Sequence, residues 1–109
     1  MVAALFLAAV TAQINSSVFE SGNELYDLCT SSSAVKLGAC SGYIIGVSDA
    51  ESVLATETGH ARLFCEPDSA VVRQDVDIVK RYLENHPELR HLSAASMVVF
   101  ALQQAFPCK

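Results

Sequence analysis

The sequence predicts an all-α fold, a small disulfide-linked domain of about four to five helices, and three observations carry that prediction. Apolar residues recur at the three-to-four spacing of amphipathic helices in several successive segments. Capping residues, prolines and glycines punctuate those segments where helices would start and stop. Four widely spaced cysteines supply the cross-links that a chain of 109 residues needs, since a domain of this size buries only a modest share of its surface.

Residues 1–12, MVAALFLAAVTA, hold no charged side chain and end in small residues. They are too few to span a bilayer but match the apolar and cleavage portions of a secretory signal, with Val10-Thr11-Ala12 as the processing site. A basic leader is missing, so the segment is read either as the remnant of a signal peptide or as an ordinary apolar N-terminal helix. The helical domain is then 13–109, with no stable membrane insertion of the mature chain.

The first helix starts at Ser17 or Ser21. Each serine has a glutamate three residues on, Glu20 or Glu24, in capping-box spacing, and Leu25, Leu28 and Cys29 form the inner face. Thr30-Ser31-Ser32-Ser33 closes it, because these hydroxyls compete for backbone hydrogen bonds.

The organising element is the helix from Cys40 to Ala55, with Gly38 marking the turn into it. Tyr43, Val47, Ala50 and Leu54 form its apolar stripe, widened by Ile44 and Val53. Gly42 and Gly46 each cost about 1 kcal/mol against alanine, which is reasonable where a second helix approaches the backbone closely, or, as the alternative, where the glycines hold a shallow groove open on a flexible or ligand-facing helix.

Thr56-Glu57-Thr58-Gly59-His60 is a turn-rich connection, and Asp68 is placed to cap the next helix. There Val71, Val72, Val76, Ile78, Val79, Tyr82 and Leu83 share one arc opposite Arg73, Asp77, Lys80, Arg81 and Glu84. Asp75 interrupts the apolar arc. It sits either at a core edge with a local hydrogen bond or buried against a partner such as Arg90 or His91, since an unpaired buried carboxylate is costly.

Pro87 suits a first-turn position and Glu88 the positive end of the helix dipole, so Asn85-His86-Pro87-Glu88 ends one helix and opens the last. That helix runs toward Phe106, is stopped by Pro107, and is apolar over most of its circumference, with Phe100 inside its narrow polar strip. Such a helix is central to the domain or buried between subunits, which predicts a homodimer with Phe100 near the contact.

The cysteines contain no CxxC pair and allow three pairings. We favour Cys29 with Cys40, closing the serine-rich loop, and Cys65 with Cys108, fastening the C-terminus to the middle of the chain. Chain entropy makes the shorter closure worth somewhat less than 3 kcal/mol and the longer about 4.

A net charge of −5 with scattered basic residues disfavours nucleic acid and anionic membrane surfaces and is compatible with a basic protein partner. His60, His86 and His91 have no metal-ligand spacing, no cysteine has an adjacent histidine arrangement for a catalytic thiol, and no nucleophile elbow, phosphate loop or dinucleotide fingerprint occurs. The reading is a binding module with no cofactor and no metal, ahead of an enzyme.

The chain resembles the Rap/Tai family of immunity proteins, which protect bacteria against cell-wall amidase effectors delivered by type VI secretion. The resemblance is carried by Leu25 and Cys29; GYIIGVSDA from Gly42 to Ala50; Cys65 with Pro67; Gln74; YLENHPE from Tyr82 to Glu88; His91; and ALQQAFPC from Ala101 to Cys108. It implies an all-helical fold, residence in the periplasm, frequent homodimerisation, and a non-catalytic role in which the protein covers the cleft of a peptidoglycan amidase. Carried over position by position, Gly42, Tyr43, Gly46, Asp49, Gln74, Tyr82, His86, Pro87, His91, Phe106 and Cys108 shape the scaffold. After FCEP the chain reads DSAVV where the family more usually has glycine, a change in a region that could face an effector. Contact with the effector is expected from the Thr56-to-Leu63 connection or the Asn85-to-Arg90 junction, with His60, Arg62, Glu88, Arg90 and Phe100 as candidate interface residues. The alternative is an exported helical envelope protein with no toxin target.

Overall fold

The computed structural model describes residues 19–109. The apolar segment 1–12, its processing site and the Ser17 start lie outside the described residues. Within them the chain forms four α-helices, α1 (Gly22–Cys29), α2 (Ala34–Thr58), α3 (Val72–Asn85) and α4 (Ala94–Ala105), with a 3-10 turn at Pro87–Leu89. Every pair of α-helices is in contact, so one core serves the described domain. Leu25, Cys29, Cys40, Ile44, Phe64, Val79, Leu83, Ala94, Met97, Val98, Ala101 and Leu102 make up that core. The disulfides join Cys29 to Cys40 and Cys65 to Cys108, the two favoured pairings.

Ser21 opens α1 through a complete capping box. Its hydroxyl accepts from the Glu24 amide, and the Glu24 carboxylate accepts from the Ser21 amide at 2.7 Å. Short backbone pairing holds this start against the start of α4: the Gly22 amide donates to Leu92 O, the Asn23 amide to Arg90 O and the Ala94 amide to Glu20 O, all within 2.9 Å. Gly22 is the close-approach glycine of the fold. A Cβ there would lie 2.9 Å from Arg90 O and 3.0 Å from Arg90 Cα and Met97 Cγ.

The central helix is longer than the sequence reading and rotated from it. Ser33 caps α2, accepting from the Lys36 amide, so Gly38 lies inside the second turn instead of ahead of the helix. At 25 residues α2 is about 37 Å long. The bond to Cys29 turns Cys40 inward, and helical periodicity then carries Ile44 and Glu51 to the buried side. Tyr43 and Val47 are half-buried as a result, whereas Ala50, Val53 and Leu54 are exposed. Gly42 and Gly46, expected against another helix, have no atom of the described residues, apart from their chain neighbours and their own helix backbone, within 4 Å of where a Cβ would sit. Gly59 ends α2 in the left-handed region, φ 71°, its amide donating to Ala55 O.

Two further boundaries differ from expectation. Asp68 caps nothing: a turn closed by the Ala70 amide on Pro67 O carries the chain past it, and α3 begins after Val71 with no side-chain cap. Val71 and Val72, assigned to the apolar arc, are consequently exposed at the mouth of that helix. Pro87 opens the 3-10 turn instead of the last helix, and α4 starts at Ala94 under a Ser93 cap. The chain must first reach across to pair with Glu20 and Gly22, which consumes the residues between.

Candidate functional site

The residues between α2 and α3, 59–71, have no regular secondary structure, yet side chains brace much of this connection. Glu51, only 4 % exposed, receives the Leu63 amide on one carboxylate oxygen and Arg62 Nε on the other, each at 2.9 Å. Arg62 is partly open to solvent while Glu51 is not, so the pair lies at a water boundary, and truncating Glu51 would leave both donors without it. Phe64, 1 % exposed, anchors the next position in the core, an apolar burial of about 1.5–3 kcal/mol. Cys65 follows with its disulfide to Cys108, and its amide donates to Phe106 O at 2.8 Å. Ser48 Oγ then donates to Glu66 Oε1 at 3.2 Å. The Arg62-to-Glu66 part of this connection is therefore tied to the rest of the fold, and the residues on either side of it are mostly exposed.

Asp75, in the first turn of α3, is 7 % exposed and faces Glu66. Burial, then the charge of Glu66, and then hydrogen bonding between the two carboxyl groups push its pKa from 3.8 to about 6. Its Oδ1 has no hydrogen-bond partner among the described residues. Asp75 is buried, as one of the two expectations had it, but the group beside it is a second carboxyl and not Arg90 or His91. Arg90 instead lays its guanidinium over the Tyr26 ring, 4.2 Å from the centroid, while its Nε is buried without a hydrogen-bond partner among the described residues.

Beside the braced loop, α2 and α4 flank a cleft of about 220 Å³ lined by Val47, Ala50, Glu51, Leu54, Leu63, Ala95 and Val99. Leu54 and Leu63 stand half open to solvent at its edge. His60 also lines it, with Nδ1–H donating to Ala61 O. Burial raises the pKa of the Tyr43 hydroxyl and the charge of Glu20 adds to it, while a backbone hydrogen bond at Ala95 acts the other way.

The candidate interface residues fall into three places. His60 and Arg62 belong to the braced loop. Glu88 is exposed on the 3-10 turn and Arg90 is half-buried after it. Phe100, 39 % exposed, lies on a different flank of α4 from Ala95 and Val99. Of the scaffold residues, Tyr82 and His86 stack with ring centroids 4.0 Å apart, and His86 Nδ1–H donates to Tyr82 O at 2.9 Å, finishing α3. Phe106 is half-buried as the cap of α4. Asp49, Gln74, Pro87 and His91 are exposed. Among the described residues no group of three or more His, Cys, Asp and Glu side chains is placed to hold a metal ion.

The sequence reading missed Glu51, Phe64 and Gly22. A signal existed for Glu51: once Cys40 faces inward, position 51 follows on the same side of the helix. Phe64 and Gly22 stand outside any long periodic segment and carried no such mark.

A family model of Rap1a immunity proteins matches residues 21–108, from the Ser21 cap to the last disulfide cysteine. Comparison with curated proteins yields no match. The matched region takes in all four helices, both disulfides and the braced loop, and the chain belongs to the Rap1a immunity protein family.

Proposed function

We propose that this protein is a periplasmic immunity protein that binds a peptidoglycan amidase effector delivered by type VI secretion and covers its active-site cleft, without catalysing a reaction itself. The observation that carries the reading is the family match over residues 21–108. The architecture is consistent with it: two disulfides suit an oxidising compartment, and no helix among the described residues is long and apolar enough to cross a membrane. An inhibitor that blocks a cleft benefits from a loop held in its bound shape before contact, because less conformational entropy is lost on association. The loop braced by Glu51, Phe64 and Cys65 meets that requirement. We further propose that the protein is a homodimer with Phe100 at the contact.

The test is co-purification of the oxidised mature protein with the effector encoded beside its gene, followed by an assay of peptidoglycan cleavage. A stable complex and loss of hydrolysis are expected. With both proteins folded, absence of binding or undiminished hydrolysis refutes the assignment for that pair and favours the envelope-protein alternative.

A further inference from the structure

We infer that the cleft between the C-terminal half of α2 and α4 is a socket for one bulky apolar side chain of the partner protein, flanked on that partner by basic residues. This inference rests on the immunity reading for the partner's identity, while the chemistry of the occupant comes from the cleft itself.

Most of its lining is apolar, with Val47, Ala50 and Leu54 on α2, Leu63 on the loop, and Ala95 and Val99 on α4; Glu51 and His60 complete it, the His60 Nδ1–H already donating to Ala61 O. A volume of about 220 Å³ lies below the roughly 300 Å³ at which small-molecule sites begin, and suits a single side chain. The polar group in the lining with the strongest claim on a ligand, the Glu51 carboxylate, is already committed to the Leu63 amide and Arg62. What enters must therefore gain affinity from apolar burial, which is how central anchor residues dominate protein interfaces.

Charge around the cleft selects the occupant's neighbours. Helix α4 carries no charged residue from Ala94 to Ala105. Glu20 stands at one end, its carbonyl bonded to the Ala94 amide beside Ala95. Glu57 is exposed at the other end, three residues beyond Leu54, next to the negative terminus of α2 at Gly59. Arg62 is the cation nearest in sequence to that end, and it is paired with Glu51. Lysine or arginine beside the anchor meets this field favourably. A second copy of the chain would bring the same acids to a self-complementary contact, which disfavours a symmetric dimer here.

The experiment measures calorimetric affinity of the wild-type protein and two variants for the effector encoded beside the gene. Leu54→Lys places a cation at the edge of the cleft, at a position exposed enough for the fold to tolerate it. Val35→Lys, at the far end of α2 and 83 % exposed, is the control. A loss on the order of 30-fold for Leu54→Lys, with Val35→Lys within about twofold of wild type, is the expected result. If wild type binds and Leu54→Lys binds equally well, the socket is overturned while the immunity assignment stands. If wild type does not bind, the immunity assignment fails, and NMR titration with tryptamine against indole-3-acetate decides the socket. Shifts at the Leu54, Leu63, Ala95 and Val99 amides that are larger for the cationic probe support it, and no shift or a preference for the anion overturns it.

Discussion

Asp75→Asn tests the electrostatics of the α3 start most directly, because it removes a charge while keeping the shape of the side chain. Asp75 is buried beside Glu66, and its pKa is raised from 3.8 to about 6. The folded protein therefore holds this proton more tightly than the unfolded chain does. Stability from the protonated form is fully present below about pH 4, declines as pH rises through about 6, and is absent above that. At about 1.4 kcal/mol for each tenfold change in proton affinity, ionising Asp75 in the folded state costs on the order of 3 kcal/mol. Asparagine does not titrate in this range, and its amide can donate to Glu66 where a carboxylate cannot. Urea unfolding followed by far-UV circular dichroism should show the variant more stable than wild type by about 1–3 kcal/mol near pH 8, with the two converging near about pH 4. Parallel stability curves across that interval, or a variant less stable than wild type near about pH 8, would refute the assignment of a destabilising carboxyl pair.

Three further outcomes follow from particular contacts. Gly22→Ala should destabilise by about 1–3 kcal/mol because its Cβ meets the Arg90 backbone, whereas Gly42→Ala, with open space around it, should stabilise α2 by about 0.5–1 kcal/mol; thermal unfolding of the pair checks the contrast. Glu51→Ala should cost about 1–3 kcal/mol and speed hydrogen exchange at the Leu63 amide, and unchanged exchange there would mean that Glu51 does not brace the loop. Light scattering should give a dimer for wild type and a monomer for Phe100→Asp; a wild-type monomer throughout the micromolar range would dismiss the Phe100 contact.

Several features were legible in the sequence because they depend on neighbours along the chain. The Ser21-Glu24 box, the serine-rich break after Thr30 and the amphipathic arc centred on Val79 and Leu83 are local patterns, and each is found where its residues stand. The disulfide pairing was also accessible, since cysteines flanking one short loop are natural partners and leave the other two to each other. The quoted motifs carried the family resemblance, though most of them mark packing and helix ends instead of a binding surface.

Tertiary structure decided the rotation of α2, the position of Asp75 and the shape of the candidate surface. A helix containing three glycines and apolar residues on several sides has no dominant face of its own; the Cys29–Cys40 bond selected the side that includes Ile44 and Glu51. That choice left Gly42 and Gly46 facing open space and placed Ala50 and Leu54 at the edge of the cleft. Likewise, Asp75 lies nine residues from Glu66 with a turn between, so no helical or strand periodicity could bring the two together. The braced loop is of the same kind: Glu51, Phe64 and Cys108 come from separate parts of the chain, and only packing brings them to one connection. Local patterns therefore specified which helices form, whereas contacts between residues distant in sequence set how those helices turn and which surface they leave for a partner.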